Sequence, residues 1–294
     1  MDFSQVIKDH NLSDFPIGMA EYKLTNDNSD SNVFDLVVFD GKPEQNQLIE
    51  NERNLIVLHH GTLSENNSKL LLQYDTLQII QDDSWELKML LSKIKEKRQQ
   101  LFSDFAKNCL IESLFCCQKT KDAVENADIF APCWQKCSSY FLIDAISALN
   151  QIHSNSSSML DALRKLEKNP INDHISVATQ TIGIERAIPT LLERMVKSTI
   201  GFSDVVNDSS FSNLIRFKHD YFVSNSMLAN CYFYLGYVNR NNFISIKDRL
   251  NREQDLFHIL KIAFDVEADS NDLIHQSESV KNSANSILEI ISTT

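Results

Sequence analysis

Residues able to do chemistry gather in a few places along this chain. The first is an acid set in an apolar run, Val33-Phe34-Asp35-Leu36-Val37-Val38-Phe39. Burying a carboxylate among such neighbours is costly unless it is paired, coordinates a cation or sits at an exposed strand end. Its ordinary alternative is the solvent face of an edge strand. The second is His59-His60-Gly61, directly after the apolar Leu55–Leu58. Adjacent residues of an extended strand point to opposite faces, so the two imidazoles cannot readily share one metal. One of them could act as a ligand or base, with Asp35 or Asp40 as its orienter. A histidine pair that merely marks a strand-to-loop junction is the plainer reading.

Three further signals weigh less. The cysteines are Cys109, Cys116, Cys117, Cys133, Cys137 and Cys231. Cys133 and Cys137 would share a helix face, but structural zinc sites usually carry a C-x-x-C pair and a knuckle glycine, and neither is present. Core packing explains these thiols better. Arg252 and His258 have the R-x(4–6)-H spacing of HEPN-type ribonucleases; Arg53 and His59 have it too, so the pattern reads as chance. The run Tyr232 to Phe243 (YFYLGYVNRNNF) has side chains suited to a pocket wall, or to a helix end followed by a solvated turn.

Two kinds of element must position these residues. Asp2 to His10 reads as a short helix ended before Pro16. Four apolar segments of strand length follow: Ile17 to Leu24, Val33 to Phe39, Leu55 to Leu58 and Thr76 to Ile80, with polar loops between them. From Ser84 the hydrophobic period changes from about 2 to about 3.6. Ser84 is a suitable N-cap, and Leu87, Leu90, Leu91, Ile94, Leu101, Phe102 and Phe105 share one helix face. Later helices are expected from Pro132, over Met159 to Leu166, over Ile184 to Val196 with a kink at Pro189, over Phe211 to Tyr237, Ile244 to Leu250, Gln254 to Phe264 and Asn271 to Ile291. With only 6 Gly and 5 Pro in 294 residues, long uninterrupted elements are favoured.

At 43% hydrophobic and 23% charged residues the chain can build a substantial core. A net charge of -12 disfavours broad nucleic-acid binding, although the run Lys88, Lys93, Lys95, Lys97, Arg98 is locally basic. The N-terminus lacks the apolar stretch of a secretory signal, and no segment approaches the ~20 apolar residues of a membrane span. A soluble, cytoplasmic protein with reduced thiols is therefore expected, with no membrane partner. Oligomeric state is left open.

The run PIGMAEYKLTNDNSDSNVFDLVVFDG resembles the nucleotidyltransferase superfamily typified by DNA polymerase beta and kanamycin nucleotidyltransferase. Those domains have a strand ending in Gly-Ser, then a strand with two alternating carboxylates that share divalent metals, and often a helical domain. Gly18-Met19 stands where Gly-Ser is expected, and FDLVVFD resembles the carboxylate strand. The resemblance implies an α+β chain: a small mixed-sheet, nucleotidyltransferase-like domain over residues 1–85, then a helical domain over 86–294. It implies Asp35 as catalytic and metal-binding residue with His59 as a further metal ligand, and Gly18, Met19, Lys95 and Arg98 near a nucleotide. Magnesium and that nucleotide would lie in a cleft between the two domains. The motif is degenerate: Met19 replaces the serine, and Val33 and Val37 occupy the positions for a second carboxylate. A non-catalytic interaction or regulatory module derived from that fold, with a protein partner, is the competing expectation.

Overall fold

The structure is a computed structural model and describes residues 3–22, 33–42, 46–51, 54–153, 155–207, 211–266 and 269–293. Asp2, the end of the first apolar segment at 23–24, the polar loop at 25–32 and Arg53 lie outside the described residues. The chain forms two compact units, Met1–Asp104 and Phe105–Thr294.

The first unit is built on a five-stranded mixed sheet. Its elements are helix α1 (Ser4–Asp9), strands β1 (Ile17–Tyr22), β2 (Val33–Val38), β3 (Gln47–Asn51) and β4 (Asn54–His60), helix α2 (Ser68–Tyr74), strand β5 (Gln78–Gln81) and helix α3 (Glu86–Glu96). The strand order is β3-β4-β2-β1-β5. β2 and β4 run parallel, with Val37 beside His59, and the other pairs are antiparallel. The run VFDLVVF is nearly all apolar because both faces of its strand are covered. On one face Phe34, Leu36 and Val38 pack with Ile17, Met19, Ile56 and Leu58 against Val6 and Ile7 of α1. On the other, Ala20, Val37 and Phe39 pack with Tyr74, Leu77 and Leu87, Leu90, Leu91 and Ile94 of α3. The 3.6-residue stripe seen in the sequence is thus the face that α3 lays on the sheet.

The boundary between units falls within α4 (Arg98–Glu125). The second unit is helical: α5 (Ala131–Leu149), α6 (Met159–Arg164), α7 (Ile175–Ile182), α8 (Pro189–Asn207), α9 (Ser212–Ser224), α10 (Leu228–Ser245), α11 (Phe257–Ala263) and α12 (Ser270–Thr293). α5 is its central rod, with every residue from Ala131 to Ala148 buried. A helix apolar on one face sits at a surface; one buried all round must satisfy polar groups inside, and α5 carries Gln135, Lys136 and Asp144 there. Among the described residues no helix is long and apolar enough to cross a membrane.

Several local expectations are corrected. Gln47–Asn51, expected as loop, is the edge strand β3, paired antiparallel with β4. Edge strands bury little and tolerate polar residues, so QLIEN carries a weak signal. Ser84 does not cap α3: the Asp82 carboxylate accepts from the backbone N–H groups of Leu87 and Lys88, while Ser84 donates to Glu86. The stripe running on to Phe105 is divided at Lys97 between α3 and α4. Pro189 is the first residue of α8 and not a kink, because its missing N–H would have had no partner at that position anyway. The helix expected over Phe211 to Tyr237 is two helices, separated at Asn225–Met227, where Ser226 takes a positive φ of 58°.

Candidate functional site

Alternation along β2 puts Val33, Asp35 and Val37 on the face covered by α3, with Ala20 and Val57 directly across from Asp35 on the flanking strands. These neighbours are apolar and buried. The polar partner of Asp35 comes from β4: His59 Nε2 lies 3.3 Å from the Asp35 carboxylate. Both side chains keep about a quarter to a third of their surface exposed, 26% and 30%. His60 points to the opposite face, where its Nδ1 lies 2.9 Å from Asp40 Oδ2. Asp40 also accepts from the backbone N–H of Lys42, and the Lys42 ammonium lies 3.6 Å away. Burial works to raise the Asp40 pKa, but the Lys42 N–H and His60 together bring it below the usual carboxylate value.

Two histidine–aspartate pairs therefore stand on opposite faces of the sheet, with both histidines at the carboxyl end of β4, Asp35 in the middle of β2 and Asp40 just past its end. The sequence singled out both histidines and both acids; the structure decides the pairing, Asp35 with His59 and Asp40 with His60. The opposed faces follow from the pleat, as expected.

The residues expected around a nucleotide are placed separately. Gly18 lies on the same face as Asp35, beside Val37, but a Cβ there would come within 2.9 Å of the Leu77 side chain. Close packing of Leu77 thus accounts for a glycine at this position. Met19 faces the other way and is buried against the α1 side of the sheet. Lys95 is exposed on α3, while Arg98 is bound to Asp75 at 2.9 Å and lies over the Phe102 ring.

Magnesium takes oxygen ligands, usually one or two carboxylates with waters and substrate phosphates. On the Asp35 face β2 offers a single carboxylate whose nearest polar partner is an imidazole, and among the described residues no group of three or more His, Cys, Asp or Glu is placed to hold a metal ion. This donor set does not fit a carboxylate-bridged metal pair.

The second unit holds the groups that the sequence made least conspicuous. Arg240 and Asp144 form an ion pair at 2.6 Å, with side chains 3% and 1% exposed. Tyr237 donates to the other Asp144 oxygen at 2.9 Å, and the guanidinium stacks over Phe141 and Tyr237. Burial works against the charge on Arg240, but Asp144 more than restores it and holds the pKa above its usual value. Here the segment expected either as a pocket wall or as a helix end with a solvated turn is the interior of α10, and Asn239, Arg240 and Asn242 are buried. A second network joins Lys136, which donates to the Ile182 carbonyl, Tyr232, which donates to Asp265 at 3.0 Å, and Arg186, 2.9 Å from the same carboxylate. All six cysteines are buried. Burial pushes the thiol of Cys231 up to about 12 and raises those of Cys116, Cys117, Cys133 and Cys137. Such thiols are packing groups, not nucleophiles.

No protein-family model and no curated protein matches the chain. Among solved structures it is similar to a nucleotidyltransferase-like protein from Exiguobacterium sibiricum 255-15, at 10% identity over 87% of this chain and 89% of that one, with a TM-score of 0.31. A likeness this faint leaves fold and function to be argued from the residues themselves.

Proposed function

We propose that the protein is a non-catalytic binding module on a nucleotidyltransferase-like, sheet-plus-helices plan, in which the residues at the positions of an active site serve local packing and a partly exposed His59–Asp35 pair instead of transfer chemistry. One observation carries this: Asp35, the acid that a two-metal transfer reaction would need, is flanked by Val33 and Val37 and engaged with His59. Two-metal catalysis needs carboxylates converging on ions about 3.5–4 Å apart, and a lone aspartate cannot supply that clamp. The burial of Met19 and the packing of Leu77 over Gly18 support the same reading.

Isothermal titration with ATP and magnesium, paired with an assay for transfer of a labelled nucleotide, tests it. Neither binding nor turnover that depends on Asp35 is expected. Magnesium-dependent nucleotide binding that Asp35→Asn abolishes, in a variant whose melting temperature is unchanged, would overturn the proposal.

A further inference from the structure

We draw no further inference here: the strongest candidate, the small polar cavity of the second unit between α5, α7 and the start of α12, is an acidic cluster of Glu185, Asp265, Asp269 and Asp272 in which Arg186 is bound to Asp265 and Asp269 caps α12, and nothing among the described residues points to a ligand for it.

Discussion

In the sheet unit the His59–Asp35 pair stays about a quarter to a third exposed and shares its partnership with water, while the side chains of the His60–Asp40 pair are 3% and 0% exposed. In the helical unit Arg240 and Asp144 are likewise almost wholly withdrawn from solvent and framed by Phe141 and Tyr237. The physics separates the two cases. A half-exposed pair gains little because water already serves both groups, whereas a buried pair is costly to assemble and still more costly to break. Of the two conspicuous histidine–aspartate pairs only His60 with Asp40 is buried, and the other buried pair, Arg240 with Asp144, lies in helices that read as ordinary apolar segments.

The sharpest way to break that contrast is to orphan one buried charge. Asp144→Ala should destabilise the protein by about 3–5 kcal/mol, leaving Arg240 unpaired in the core. The double variant Asp144→Leu/Arg240→Met should recover most of that loss in chemical denaturation. If the single variant loses under about 1 kcal/mol, the comparison fails.

Close packing in the helical unit predicts the next largest effect. A Cβ on Gly236 of α10 would fall inside the Tyr140 hydroxyl of α5. Gly236→Ala should cost about 1–3 kcal/mol even though alanine favours the helix, and adding Tyr140→Phe should restore much of it.

The sheet unit should show smaller, pH-dependent effects. The folded pKa of Asp40 lies below its ordinary value of 3.8, so its contribution to stability is present above that value and lost as pH falls through the lower folded pKa. Asp40→Asn should cost about 1 kcal/mol at neutral pH, and its gap from the parent in urea midpoint should close as the pH is taken below 3.8. Asp35→Asn, at the more exposed pair, should change stability by less than about 1 kcal/mol. A larger loss would mean that Asp35 does more than hold His59.

The strands at Ile17, Val33 and Leu55 and the stripe from Leu87 to Ile94 were legible because burial on a sheet or helix imposes a period on apolar residues, whereas β5 (Gln78–Gln81), expected over Thr76 to Ile80, is an exposed edge strand that showed only through its two isoleucines. Edge strand β3 was not legible, since an edge buries too little to impose a period. The polar run Asn239-Arg240-Asn241-Asn242 read as a turn, yet α10 continues through it, because Asp144 on α5 supplies the partner that lets Arg240 stay inside. Ser84 read as the cap of α3, but the chain path at Trp85, with its positive φ of 65°, gives that role to Asp82.

What the sequence alone determined is the division of labour along the chain, a sheet-forming first part and a helical remainder, together with the opposed directions of His59 and His60. Both follow from local rules of pleat and helical period that act on neighbours in the chain. Only the tertiary structure decided that Asp35 meets an imidazole and not a second carboxylate, that Gly18 makes room for Leu77, and that Asp144 and Arg240, 96 residues apart, meet in the core. Such contacts depend on which distant surfaces come together, and the charges and side-chain volumes that make them possible carry no period of their own.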